Sequence, residues 1–144
     1  TLHIHTTRQL LPQQEVMQIT YKVTSENYNG PISLLAMLGG DAEPNNWYPL
    51  MNNIEQDKCW IWLQLPNDNI QLCCAMNWQV LHNDIPVGKR PIKIEKHHTI
   101  GYSLTTQIKA GDTCTLKKNV AVLDSRNHSK DQLITNTLKC LTNW

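Results

Sequence analysis

Apolar and polar residues alternate through most of the chain, and a side-chain period of two marks strands with one buried face. Met17, Ile19, Tyr21 and Val23 form one such stripe, and Ile70, Leu72, Cys74, Met76, Trp78 and Val80 form the longest. The segment from Thr24 to Pro31 carries Ser25, Asn27, Asn29 and Gly30, residues that favour turns. Ile32, Leu34, Ala36 and Leu38 then read as a returning strand, which predicts a hairpin-like pair from Met17 to Leu38. Pro66-Asn67-Asp68-Asn69 separates a strand at Cys59 to Leu65 from the longest stripe. A turn around Asn83, Asp84, Pro86 and Gly88 leads to Ile92 and Ile94, then to Ile100, Tyr102, Leu104, Thr106 and Ile108. Lys109-Ala110-Gly111-Asp112 turns the chain once more, into Cys114, Leu116, Lys118, Val120 and Val122.

Two segments depart from this rhythm. Gly39 to Asn53 is rich in Gly, Asn and Pro yet holds Trp47, Tyr48 and Met51, so it reads as a long excursion anchored by aromatics. Ser129-Lys130-Asp131-Gln132 fits a helix capping box, with Ile134, Leu138 and Leu141 following at helical spacing. About eight strands and one terminal helix predict a mainly β fold, an antiparallel, supersandwich-like β-sandwich with a C-terminal helix. The expected division is a sandwich over 1–128 and an exit or linker helix over 129–144.

With 144 residues, one core and one domain are the default. A formal charge of +1, with both signs dispersed, supplies no electrostatic footprint for nucleic acid. No apolar stretch approaches the roughly 20 residues a membrane helix needs, so neither nucleic acid nor a membrane is an expected partner. Thr1 opens directly into the alternation of Leu2, Ile4 and Thr6, which reads as an excerpt or as a chain with something removed upstream. Cys59, Cys73, Cys74, Cys114 and Cys140 are odd in number and irregular in spacing, unlike a disulfide framework. Free thiols in a cytoplasmic protein are the expectation, and the sequon Asn127-His128-Ser129 carries little weight there.

The ends of the chain carry a resemblance. Leu116-Lys117-Lys118-Asn119-Val120-Ala121-Val122-Leu123-Asp124-Ser125-Arg126-Asn127 follows the turn Ile108-Lys109-Ala110-Gly111-Asp112. It resembles the closing strand of the amino-terminal domain of family 65 glycoside hydrolases and phosphorylases. Arg8-Gln9-Leu10-Leu11 and the run Ile19 to Ile32, through Tyr21, Asn27 and Gly30, are similar to earlier motifs of that domain. Gln9, Asp124 and Asn127 stand where the family usually has an aromatic, Thr and Asp, and the chain has no Phe. The family includes maltose, trehalose and kojibiose phosphorylases and acid trehalases, whose catalysis resides in an (α/α)6 barrel outside the matching segment. The resemblance therefore implies an accessory sandwich domain, partial relative to the family's, that packs on a catalytic barrel of the same parent protein and does no chemistry. It also implies a homo-oligomer and no cofactor.

Candidate chemistry within the chain is weighed against that reading. Cys73-Cys74 and His97-His98 suggest zinc, but neighbours in extended chain point to opposite faces, so no metal site is expected. No Cys–His pairing stands out locally, and Glu43, Glu55, Asp57 and Glu95 read as solvated charge, so no catalytic residue is expected. Trp47, Tyr48, Trp60, Trp62 and Trp78 have faces suited to sugar rings. Trp47, Tyr48, Trp60 and Trp62 are the candidate carbohydrate or interdomain contacts, and Trp60 and Trp62 share a strand face. A free-standing carbohydrate-binding module is thus the alternative function, with a saccharide as the possible ligand. Ser125 and Arg126 are assigned to the strand-to-helix junction, Arg126 bonding carbonyls there. The apolar edge at Leu2 and Ile4, the terminal helix and Trp144 are expected to seek a partner surface.

Overall fold

A computed structural model describes residues 1–12, 15–39, 48–55, 57–66, 68–96 and 99–141, with only the backbone of Tyr48 and Pro49 included. The chain forms strands β1 (Leu2–Leu10), β2 (Val16–Ser25), β3 (Gly30–Gly39), β4 (Tyr48–Ile54), β5 (Lys58–Gln64) and β6 (Gln71–His82). There follow β7 (Ile85–Pro86), β8 (Ile92–Lys96), β9 (Thr99–Ile108), β10 (Thr113–Asp124), a 3-10 turn at Lys130–Gln132 and helix α1 (Leu133–Cys140). All strand pairs are antiparallel. The large sheet runs β1-β2-β10-β6-β5-β4, with β7 on β6, and the small sheet runs β3-β9-β8. The fold is thus the mainly β sandwich with a C-terminal helix that the alternation predicts.

The small sheet lies over β6, β5 and β4. Met76, Trp78 and Val80 of β6 meet Leu34 and Ala36 of β3 and Ile100 and Tyr102 of β9 in the main core. Trp78 stacks on Tyr102 across the two sheets, with ring centroids 5.1 Å apart and 12° between planes. The Tyr102 hydroxyl donates to the Glu55 carbonyl at 2.7 Å, and Lys93 Nζ donates to the Ile54 carbonyl at 3.2 Å, fastening the small sheet to the end of β4. At Gly101 the backbones approach closely: a Cβ there would collide with the Ala36 carbonyl oxygen and sit 2.7 Å from Met37 Cα. Only glycine fits that position.

The register of β6 agrees with the alternation, since Leu72, Cys74, Met76, Trp78 and Val80 all pack into or against the main core. Its opposite face is buried as well. Cys73 and Ala75 lie with Trp60, Leu123 and Leu133 in a second cluster beneath α1. Helix α1 therefore rests on the outer face of the chain's own sheet, over β10, β6 and β5, instead of waiting bare for a distant partner. Small side chains at Cys73 and Ala75 leave room for the helix to sit close.

Four local expectations are corrected. β2 and β3 are not a hairpin: β2 pairs with β1 and β10, whereas β3 pairs with β9 in the other sheet. Ser25 makes the bend, its Oγ donating to the Tyr28 carbonyl at 2.7 Å and accepting from Tyr28 N at 3.0 Å, and that bend carries the chain across the sandwich. The second half of the Gly39 to Asn53 excursion is strand β4, because its backbone is captured by β5 from Tyr48↔Gln64 to Ile54↔Cys59 despite a register shift near Pro49. The capping box does not form; Ser129 makes no side-chain cap, and its carbonyl instead accepts from Gln132 N at 3.0 Å in a 3-10 turn. Among the described residues ten strands replace the expected eight or so, the additions including β4 and the two-residue β7. β7 follows a tight turn at Asn83 and Asp84, both at positive φ (48° and 65°), a conformation that Asn and Asp tolerate and that hairpins favour.

Candidate functional site

The strand-to-helix junction is a hydrogen-bonded knot built at the end of β10. Ser125 exchanges two bonds with Gln71 at the start of β6: Gln71 N donates to Ser125 Oγ and Ser125 N donates to the Gln71 carbonyl, both at 2.9 Å. Arg126 bonds a carboxylate and not the carbonyls expected of it. Its Nε and Nη2 donate to Asp124 at 3.1 and 2.8 Å, and its backbone N donates at 2.9 Å. These bonds to Arg126 hold the Asp124 carboxyl below its usual range. The guanidinium has chosen the neighbour with the stronger, charge-assisted bond.

From the same knot a polar chain fixes Trp62. Trp62 Nε1 donates to Gln71 Oε1 at 3.1 Å, and Gln71 Nε2 donates to Gln64 Oε1 at 3.4 Å. Gln64 Nε2 donates to Asn69 Oδ1 at 3.3 Å, an oxygen shared with Lys130 Nζ at 2.9 Å. Trp60 and Trp62 share the outer face of β5, but that face is the floor beneath α1, and Trp60 is only 9% exposed. Trp78 is occupied in the stack on Tyr102. Trp47, the Tyr48 side chain, Glu43, His97, His98 and Trp144 lie outside the described residues, so the four aromatic candidates are not seen as one surface.

The cysteines have the character of core side chains. Burial pushes the thiols of Cys59 and Cys74 up to about 12 and that of Cys73 up to about 11. A thiolate nucleophile needs the opposite shift. Cys73 and Cys74 face different clusters, one below α1 and the other against the main core. Among the described residues no group of three His, Cys, Asp or Glu side chains is placed to hold a metal. Nor, among them, is any helix long and apolar enough to cross a membrane.

Two further arrangements have only faint sequence signals. At the end of the sandwich where β6 and β10 meet, Asp112 accepts from Asn83 Nδ2, pairs with His82 Nε2 and accepts from Lys109 N, each at 2.9 Å. The Asn83 bond first, then those of His82 and the Lys109 amide, bring its carboxyl down to about 2. On the other side, the gap between β3 and the β2–β10 pair holds a cavity of about 350 Å³ lined by Ile19, Tyr21, Leu34, Leu116 and Lys118. Lys118 Nζ crosses this gap to donate to the Met37 carbonyl at 2.5 Å. Burial lowers the Lys118 pKa. Its signal in the sequence is parity, because Lys118 falls on the apolar phase of Leu116 and Val120.

The geometry describes a sandwich domain whose polar clusters fasten turns and junctions. Residues 1–143 match the glycosyl hydrolase family 65, N-terminal domain, and the chain belongs to that family. A candidate kojibiose phosphorylase from human microbiome has the same fold, with a TM-score of 0.73 at 12% identity over 96% of this chain. The chain spans 20% of the length of that structure. No curated protein matches the chain.

Proposed function

We propose that this chain is a non-catalytic accessory domain of a disaccharide phosphorylase or hydrolase, working in carbohydrate metabolism by packing on the catalytic barrel of its parent protein. The observation that carries this reading is the family match over 1–143, in a chain that spans a fifth of the length of its structural neighbour. The side chains support it. Cys59 and Cys73 are buried in apolar clusters and Cys74 packs half-buried against one, and Ser125, Asp124, Arg126 and Asp112 are engaged in holding turns. On this reading 1–128 is the sandwich and 129–144 the exit segment, of which helix α1 lies over β5, β6 and β10. A cytoplasmic location is consistent with free thiols. The β1 edge, unpaired among the described residues, supports homo-oligomer formation, since an unpaired strand is a template for another.

The test is an assay of the chain beside its whole parent with maltose, trehalose and kojibiose, in phosphate and in water. The parent is expected to release sugar phosphate or glucose and the chain alone to release neither. Turnover by residues 1–144 would overturn the reading. The second reading, a carbohydrate-binding module using Trp47, Tyr48, Trp60 and Trp62, is checked by calorimetric titration with the same sugars. The burial of Trp60 beneath α1 weighs against it.

A further inference from the structure

The ladder along one margin of β6 is interrupted, while β10 lines the other margin throughout. β5 pairs with β6 from Gln64↔Gln71 to Lys58↔Asn77, and β7 takes up the same margin only at Leu81↔Pro86. Trp78, Gln79 and Val80 therefore have no strand beside them there among the described residues, and a single bond, from Val87 N to the Val80 carbonyl at 2.9 Å, crosses the gap. The resulting notch is a cavity of about 250 Å³. Leu104 of the small sheet, Val87 and Pro91 supply apolar lining, and Asp57, Gln79 and Lys89 supply polar lining.

The polar groups at this notch are uncommitted. Trp78 is only 9% exposed and its ring face is taken by Tyr102, yet its indole N–H has no hydrogen-bond partner and is not sealed from solvent. A donor in a side chain so deeply buried opens on the one cavity that Trp78 lines among those described. No hydrogen bond or ion pair engages the side chains of Asp57, Gln79 or Lys89 among the described residues. Burial, with Cys59, Asp57 and Glu55 nearby, pushes the Tyr102 hydroxyl above its usual range, which places the Asp57 carboxylate within electrostatic reach of the ring that Trp78 stacks on.

Size and charge narrow the ligand. Three residues of free margin are fewer than an ordinary strand needs, and the cavity falls short of the roughly 300 Å³ at which sites for larger molecules begin. The opposite charges of Asp57 and Lys89 cancel, so neither an anion nor a cation is favoured. A carboxylate, an ammonium and an indole N–H beside an apolar wall call for a small ring whose hydroxyls both donate and accept. We infer that the notch beside Trp78 is a binding site for a single neutral sugar ring, with Asp57 accepting from its hydroxyls, Trp78 Nε1 and Lys89 donating to them, and its C–H face against Val87, Pro91 and Leu104. The site is separate from Trp60 and Trp62, and it stands whether or not the parent protein is a phosphorylase or hydrolase.

Magnetic resonance of the full chain titrated with D-glucose and methyl β-D-glucopyranoside reads the site directly, because each tryptophan gives its own indole N–H signal and Trp78→Phe identifies that of Trp78. That signal is expected to shift and saturate with a Kd below about 50 mM, together with the amides of Gln79, Val87 and Lys89. Asp57→Ala and Lys89→Met, both at exposed positions, should each weaken binding at least about tenfold, as loss of hydrogen bonds to charged groups implies, and leave the rest of the spectrum unchanged. Glucosamine and glucuronate, one cationic and one anionic, should bind no more tightly than glucose. No saturation at Trp78, shifts centred on another tryptophan, unchanged affinity in either variant, or a clear preference for a charged sugar would overturn the inference.

Discussion

The β6–β5 region and strand β1 of the large sheet are written in the same alternating pattern, yet one is largely buried on both faces and the other, among the described residues, lies open. In β6 the inward stripe meets the small sheet and the outward Cys73 and Ala75 meet α1. In β1 the stripe Leu2, Ile4, Thr6, Arg8 and Leu10 has the right period and no cover among the described residues. Alternation thus reports which side chains share a face. Whether that face is covered depends on elements far away in sequence, here β3, β9 and the helix after β10.

The contrast predicts a steep difference in what each region contributes to folding. Trp78→Ala, which removes the inter-sheet stack, is expected to cost about 3–5 kcal/mol, and Leu133→Ala beneath the helix about 2–5 kcal/mol. Ile4→Ala should cost about 0.5 kcal/mol or less, because its side chain leaves water only in part. Urea unfolding of the three variants measures the gap. A cost at Ile4 comparable with that at Leu133 would show that the open face is already covered in solution.

A glycine pair sharpens the same comparison at the backbone. Adding one methyl at Gly101 pushes into the Ala36 carbonyl and Met37 Cα, on the strand that backs the main core. Gly101→Ala is expected to lose about 1–3 kcal/mol, since neither obstacle is a flexible side-chain end. Nothing lies within 4 Å of a Cβ built on Gly88, so Gly88→Ala should change stability by less than about 0.5 kcal/mol. Equal effects at the two positions would mean that β3 and β9 pack less closely than their register implies.

Most of the strand content is legible in the sequence because it rests on local periodicity, and the β6 stripe is the clearest instance. Strand β4 is not, since Pro49, Asn52 and Asn53 mask it and only its pairing with β5 makes it a strand. The β2–β3 connection is unreadable for a related reason. A bend closed by Ser25 serves equally to return within one sheet or to cross to the other, and the choice is made by the non-local partners β9 and β10. At the candidate sites, Ser125 is readable as a junction residue, while the choice by Arg126 of the Asp124 carboxylate over carbonyls depends on side-chain geometry that spacing does not encode. The shared face of Trp60 and Trp62 is readable too. Its burial is not, because the cover comes from a helix about seventy residues later.

The smallest expected effect lies in the Asp112 turn, and pH is the variable that exposes it. The folded carboxyl titrates near 2, below its ordinary 3.8, because Asn83, His82 and the Lys109 amide all favour the charged form. A group with a depressed folded pKa stabilises the protein above its unfolded value, and that contribution is lost as pH falls through the folded one. The stabilisation should therefore be complete above about pH 5 and fade between about 4 and 2. Asp112→Asn carries no such charge, so the stability gap between the two proteins should be constant from pH 7 to 5 and narrow steadily below 4. Glu26 and Asp124 are also held low, by His3 and by Arg126, but they are common to both proteins and cancel in the difference. Urea midpoints at pH 6, 4 and 2.5 supply the comparison. A gap that stays unchanged down to pH 2.5 would show that the Asp112 turn is held by its shape and by neutral hydrogen bonds, with the carboxylate charge adding nothing.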